Sequence, residues 1–381
     1  MKNKRILMVH NSYIASGGED VVVNEEIELL KQNGFEVGLI EFDNDKSILL
    51  KTANTLQYRN NLFSAYNFEK KLKEFKPDVV YVHNTWFTAS LGIFKILEKY
   101  NTPTYIKLHN FRFSCANAHH YRNGSSCHDC TPLDRSSGIK NKCYRGSYLQ
   151  SALVSDYGKR LFKLLSKSYI KKILILSPFH YELFQFYGLD KNKMEIFHTP
   201  VEVYPDEYED PSNFSDVLYL GRLTEEKGIF DLLSAWSLSK NRKFNLFLYG
   251  EDLNNLATSY KVDKTINFMG FQDKKFIDKH LKKSRAVIFP TRVYEGQGMV
   301  PLEAAIFRRA TISPHLGGMK QLYPKENIFM YRRYDIKSLA EKIALLEDDE
   351  LVNKQGKLNR DHVISNFSRE VISKELLKLF E

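Results

Sequence analysis

The stretch that most constrains the fold is 285–305. The apolar run Arg285-Ala-Val-Ile-Phe-Pro290 predicts a buried strand ending at Pro290. A loop with Gly296 and Gly298 follows, and a helix opens near Met299, with Pro301 tolerated in its first turn. Glu295 falls on the loop and Glu303 about one turn into the helix, so two carboxylates flank a helix N-terminus. Such a terminus offers unpaired N–H groups and the positive end of a dipole, which suits a phosphate. Glycines at 296 and 298 let the backbone come close to such a ligand.

The same alternation of apolar strands and helices runs through the whole chain, which defines an α/β protein. At 381 residues, with 43% apolar and 13% aromatic residues, the chain can bury two cores. Lys4–His10 predicts a strand, Asp20–Asn33 a helix closed by Gly34, and Phe35–Phe42 a second strand. Gly17 and Gly18 lie at the turn of this β-α-β unit, where such units meet ligands. Asp43-Asn44-Asp45 has the form of a metal-binding D-x-D, but it follows a strand where turns favour Asp and Asn, and it is read as a turn. A helix over 62–75, a strand over Val79–His83, a helix over 87–99 and a strand over Thr104–His109 continue the pattern. Ile173–Ser177, Pro178–Tyr187 and Met194–His198 complete a first domain over 1–200. Residues 199–213 lack periodicity, hold three prolines and predict a linker. The alternation restarts at Val217 and gives a second domain over 215–365. Helices are expected over 335–347, 350–364 and 368–380.

The net charge of +10 fits nucleic acid, anionic lipid or a phosphorylated substrate, and its sign alone does not choose. No apolar stretch reaches transmembrane length, and the first residues run into a strand, so a cytoplasmic protein without a signal peptide is expected. All four cysteines lie in an irregular insertion over 110–146, spaced C-x11-C-x2-C-x12-C at Cys115, Cys127, Cys130 and Cys143. Either four thiolates close a structural zinc site or the loop carries four free thiols. The basic helix over 147–172 interleaves Lys159, Arg160, Lys163, Lys167, Lys171 and Lys172 with Leu161, Phe162, Leu164, Leu165 and Ile170. It is read either as an amphipathic helix on anionic lipid or as a core helix with a solvated basic face, and the basic chain favours the first.

Two motifs give a resemblance to a known family. Glu295 and Glu303 have the spacing of the E-x7-E signature of family 4 retaining glycosyltransferases, which have the GT-B fold. Gly221-Arg-Leu-Thr-Glu-Glu-Lys-Gly228 resembles that family's G-R-L-x-x-x-K-G loop. The resemblance implies two doubly wound Rossmann-like domains facing across a cleft, with an acceptor-side N-terminal domain and a nucleotide-sugar-binding C-terminal one. A final helix at about 366–381 would pack back on the first domain. Arg222 and Lys227 would stabilise the leaving diphosphate without metal, assisted by Gly221, Gly298, Met299 and Val300. Glu295 would hold sugar hydroxyls, Glu303 the ribose, and His109 the sugar, while Phe271 marks the nucleobase pocket and Gly17 and Gly18 approach the donor phosphates. The donor would be a UDP- or GDP-sugar and the acceptor a glycan or lipid-linked oligosaccharide, as in bacterial capsule or O-antigen assembly at the inner membrane face. Catalysis would need no cofactor, and nucleic acid is not an expected partner. A nucleotide-sugar epimerase of the same fold and a basic zinc-bearing nucleic-acid-binding protein are the alternatives. The chain departs from the family at Arg308 and Ala310, where Gly and Pro are usual, at Gln321 for Glu and at Asn110 for Asp. These departures bear on donor choice.

Overall fold

The computed structural model describes residues 4–12, 18–43, 56–205, 209–239, 243–252, 255–259 and 263–380. The chain divides into two compact units. One comprises Met1–His120, His128–Pro200 and Glu370–Glu381, the other Tyr121–Cys127 and Val201–Arg369.

The first unit is built on β1 (Arg5–Ser12), β2 (Glu36–Asp43), β3 (Val79–Val82) and β4 (Thr104–Leu108). The chain then makes a short hairpin of β5 (Tyr121–Arg122) and β6 (Ser125–Ser126), which groups with the second unit. It returns to the first with β7 (Ile170–Ile175) and β8 (Met194–Ile196). The sheet order is β2-β1-β3-β4-β7-β8, and every pairing is parallel. Ile6, Leu7, Met8 and Val9 are all fully buried, as expected of a parallel strand covered on both faces. The helix Leu62–Phe75 starts where the Asn61 side chain accepts from the Ser64 amide. It buries Ser64, Phe68 and Leu72, one residue per turn, and ends at the left-handed Lys76 before Pro77.

The helix expected over 87–99 begins only at Gly92. Asparagine side chains hold the residues before it in turns: Asn84 Oδ1 accepts from the Trp86 amide and Asn11 Oδ1 from the Ala89 amide. The final helix, Arg369–Phe380, belongs to the first unit. Its Phe380 is fully buried against Phe35, Tyr81 and Tyr105, and Lys4 Nζ donates to the Phe380 carbonyl at 2.6 Å.

The second unit repeats the plan with β9 (Asp216–Leu220), β10 (Asn245–Tyr249), β11 (Ile266–Gly270), β12 (Ala286–Ile288), β13 (Ala310–Pro314) and β14 (Met330–Tyr331). The order is β11-β10-β9-β12-β13-β14, again all parallel. Trp236 is fully buried beneath this sheet and its indole N–H reaches Thr265 Oγ1 at 3.0 Å. Arg308, which stands where glycine is usual, adopts φ 56° and so carries the strain of a left-handed non-glycine residue. The backbone holds it there because the helix Asp349–Phe367 packs onto it: a Cβ at Gly356 would lie 2.0 Å from the Arg308 carbonyl oxygen.

Candidate functional site

The strand order of the second unit reverses between β9 and β12, and ligands of open α/β sheets bind beyond the carboxyl ends of strands at such a point. Two loops leave the sheet there, 221–228 after β9 and 289–298 after β12. Glycine is obligatory where they meet. Gly228 has φ 76°, and a Cβ on it would lie 1.9 Å from the Pro290 carbonyl oxygen. Gly250, at the end of β10, comes as close to Gly221: its Cβ would meet the Gly221 carbonyl oxygen at 2.0 Å.

This approach brings Lys227 to Glu295. Lys227 Nζ lies 2.7 Å from Glu295 Oε1, with both side chains about one-fifth exposed. Thr291 Oγ1 donates to the same oxygen at 3.0 Å, and the Gly318 amide donates to the Glu295 backbone carbonyl. Arg222 is half exposed, and among the described residues its guanidinium has only a long pairing to Glu226, at 3.6 Å. Its backbone is fixed by the Tyr219 hydroxyl, which donates to the Arg222 carbonyl at 2.6 Å. The helix Met299–Ile306 is N-capped by Gly298, which supplies no side-chain cap, and its first amides can serve an outside acceptor. A Cβ at Gly298 would crowd Met319 Sδ at 3.0 Å.

Glu303 does not join this group. Its Oε1 lies 3.6 Å from Lys274 Nζ, and Lys274 also reaches Asp278 at 3.1 Å. Burial raises the Glu303 carboxyl above its ordinary value, and the Lys274 ammonium opposes the rise. Phe271, just past β11, is 77% exposed, so its ring is free to meet a ligand.

Lys274 and Arg292 are two residues that the motifs do not flag. Arg292 sits in the second loop, its Nε 3.4 Å from Asp231 and its Nη1 3.7 Å from Glu225. It donates to the Gly124 carbonyl in the β5–β6 hairpin at 2.9 Å. Tyr121 of that hairpin donates to Glu225 at 2.8 Å, and Ser126 shares a hydrogen bond with Tyr334, whose ring lies under Arg292. The hairpin therefore braces both loops. In sequence Arg292 stands between Thr291 and Val293, and its acidic partners lie more than 60 residues earlier, so no local signal marks it.

In the first unit, Gly18 opens the helix Gly18–Gln32, and Gly17 lies outside the described residues, as do residues 44 and 45 of the D-x-D. His109 follows β4 and lines a recess with His83, Asn84, Asn110 and Arg112. Its Nε2 is 3.1 Å from His83 Nδ1, and the two rings stack. Burial first, then neighbouring Lys107 and His10, hold the His109 ring well below the usual histidine range, so it is neutral at pH 7. Asn110 closes a turn by accepting from the Arg112 amide, a task its amide oxygen performs as an aspartate would. Beneath the pair, Glu26 and Lys107 form a fully buried ion pair, and the Tyr81 hydroxyl donates to Glu26 Oε2 at 2.8 Å.

A zinc site at the four cysteines is not shown. Among the described residues no group of three or more His, Cys, Asp or Glu side chains is arranged to hold a metal ion, and none of the four cysteines is in a disulfide. Cys115 donates to Asn117 Oδ1, and Cys130 packs against Gly138 with its thiol pushed up to about 11 by burial. Cys127 falls in the segment that groups with the other unit. The basic helix runs over Tyr148–Leu165 and buries Val154, Tyr157, Leu161 and Leu165. It is thus a core helix with a solvated basic face, and among the described residues no helix is long and apolar enough to cross a membrane.

Two parallel Rossmann-like sheets of this kind define the GT-B fold. The chain superimposes on sucrose-phosphate synthase from Thermosynechococcus elongatus with a TM-score of 0.71 and 17% identity, covering 99% of this chain and 98% of that one. It superimposes equally fully, 98% of each chain, on Anabaena HepE in complex with UDP-glucose, with a TM-score of 0.68 and 14% identity. The family match lies in the second unit, where residues 201–363 fit the Glycosyl transferases group 1 family. Among curated proteins the chain is similar to the capsular polysaccharide biosynthesis glycosyltransferase CapM of Staphylococcus aureus, 26% identical over 208 residues. That alignment takes in 52% of this chain and spans about half the length of CapM, 51%.

Proposed function

We propose that this protein is a retaining glycosyltransferase that moves a hexosyl group from a nucleotide sugar to a glycan or lipid-linked acceptor in cell-surface polysaccharide synthesis. The observation that carries the reading is the Lys227–Glu295 pair at the switch point, beside the half-exposed Arg222 and an uncapped helix start. Departure of a nucleoside diphosphate builds negative charge, which two fixed cations and helix amides stabilise. Lys227 is held by Glu295. A diphosphate would draw the ammonium away, and Glu295 would then accept hydrogen bonds from sugar hydroxyls. Glu303, paired only loosely with Lys274, would take the ribose diol. His109 would meet a sugar hydroxyl. A phosphate oxygen of the leaving group would take the acceptor's proton, so no side-chain base is assigned.

The test is a panel of UDP, GDP, ADP and CMP in thermal-shift measurements on wild type and Glu303→Ala, joined to product analysis. One diphosphate at about a hundred times its dissociation constant should stabilise wild type by about 2.7 kcal/mol, and the variant much less. Transfer should require acceptor and keep the donor's anomeric configuration. Donor conversion without acceptor would instead identify an epimerase.

We also infer contact with the anionic inner face of a membrane. Leu62, Phe63 and Tyr66 stand 73%, 75% and 67% exposed on one face of the helix Leu62–Phe75. Cations rim them: Lys70 and Lys73 continue the stripe, and Arg59 shares Asp156 with Arg160 of the basic helix. An apolar patch edged by basic side chains fits anionic lipid. Replacing Leu62, Phe63 and Tyr66 together by serine should abolish sedimentation with phosphatidylglycerol vesicles and leave melting unchanged. If the wild type fails to bind these vesicles and light scattering shows a dimer that the variant loses, the patch belongs to a second copy of the chain.

A further inference from the structure

The buried acid beneath the recess has a consequence for His109. We propose that Glu26 and His83 set the tautomer of His109, so that its Nδ1 faces the recess as a hydrogen-bond acceptor for a substrate hydroxyl. Glu26 and His83 are positioning residues here, because they act on the substrate hydroxyl through His109.

Glu26 is fully buried and receives donors only: Lys107 Nζ at Oε1 and the Tyr81 hydroxyl at Oε2. His83 Nε2 lies 3.5 Å from that same Oε2, with no other partner for its nitrogen among the described residues. A ring nitrogen bearing a lone pair would face the carboxylate with repulsion, whereas an N–H there is attracted to it. Nε2 of His83 therefore carries the proton, and its Nδ1 is a bare acceptor. Across 3.1 Å that acceptor requires a donor, so His109 Nε2 carries its proton too. The remaining nitrogen of His109, Nδ1, has no hydrogen-bond partner among the described residues, and the residue lines the recess. Both rings stay neutral, since burial holds each well below the usual histidine range, and the two cannot escape the choice by sharing a charge.

A bare acceptor at this place recognises a hydroxyl and rejects a second acceptor such as a carboxylate. The ligand class is thus a neutral sugar at the position that meets His109. What the nitrogen contacts rests on the transferase reading, but the tautomer does not, and it can be measured without substrate.

The experiment uses the full chain labelled with 15N-histidine, with long-range proton–nitrogen spectra read for His109 in wild type, His83→Phe and His83→Gln. Wild type should show His109 protonated at Nε2 and bare at Nδ1. His83→Phe removes the acceptor and should give a mixed tautomer. It should also lower kcat/KM for sugar transfer about tenfold, with thermal stabilisation by UDP or GDP unchanged. His83→Gln, whose amide can donate to Glu26 and accept from His109, should restore both. Wild-type His109 protonated at Nδ1, or a tautomer indifferent to His83→Phe, would overturn the proposal. If phenylalanine at 83 prevents folding, the wild-type and glutamine spectra still decide it. The expected tautomer in a protein that transfers no sugar would sustain the relay and remove the transferase reading alone.

Discussion

Replacing Lys107 by methionine is expected to destabilise the first unit by about 3–5 kcal/mol, the range for breaking a buried ion pair by removing one partner. Lys107 and Glu26 are both fully buried, and the ammonium also lies 4.7 Å from the centre of the Phe197 ring. Methionine fills nearly the same volume, so the loss would not come from a cavity. It would come from leaving the Glu26 carboxylate in a low-dielectric interior with only the neutral Tyr81 hydroxyl and the more distant His83 N–H to face it among the described residues. The control is the double variant Lys107→Met with Glu26→Leu, which removes both charges. It should regain much of the stability, short of wild type, because the Tyr81 hydroxyl and His83 Nε2 would then lack an acceptor, at about 1–3 kcal/mol for such a group. Two units need not unfold together, so the measurement is urea unfolding followed by a probe confined to the first unit. A single variant that loses less than about 1 kcal/mol would show that the pair is solvated in solution, contrary to its burial.

That pair also shows where sequence reading stops. The run Thr104-Tyr-Ile-Lys-Leu-His109 reads as a strand from its apolar residues, and the structure makes it one. Alternation then suggests a lysine on a wet face. In a parallel sheet covered on both sides there is no wet face, and the lysine must find an anion. Its partner lies 81 residues earlier, on a helix, at a distance no local pattern reports. The two Rossmann-like halves were legible because continuous apolar strands and loop glycines are local signals. Gly228 is such a case: its proximity to Pro290 is the physical reason for a glycine after the lysine. Bunching in sequence does not by itself make a metal site: among the described residues no group of three or more His, Cys, Asp or Glu side chains is arranged to hold an ion. Cys130 is buried, which favours its thiol form. The basic helix misled differently, since the same interleaved pattern describes a lipid-facing helix and a core helix, and only burial of Leu161 and Leu165 separates them. The exposed Leu62, Phe63 and Tyr66 lie on an ordinary amphipathic repeat, so nothing in the sequence sets their outward face apart.

Substitutions at Lys227 and Glu295 should have opposite effects on nucleotide binding, and this contrast tests the proposed exchange of partners. Lys227→Met removes a cation from the leaving diphosphate. Loss of one preorganised donor of this kind costs about 2.7–4 kcal/mol of transition-state stabilisation, or about a hundred- to thousandfold in kcat. Thermal stabilisation by the cognate diphosphate should fall with it, because the ground state uses the same ammonium. Fold stability should drop by no more than about 1 kcal/mol, since both side chains retain some solvent access and the Thr291 hydroxyl still donates to Glu295. Glu295→Gln keeps the shape and the Thr291 contact but releases Lys227 from its anion. The diphosphate then no longer competes with a carboxylate for the ammonium, and its stabilisation should equal or exceed that of wild type. Sugar transfer should nevertheless fall, because the amide accepts less strongly from sugar hydroxyls than the carboxylate does. Thermal shifts with the bare nucleotide, beside initial rates with the nucleotide sugar, separate the two quantities. If Glu295→Gln weakened nucleotide binding as much as Lys227→Met does, Glu295 would be orienting the lysine rather than yielding it. Its carboxylate would then belong to the diphosphate site and not to the sugar.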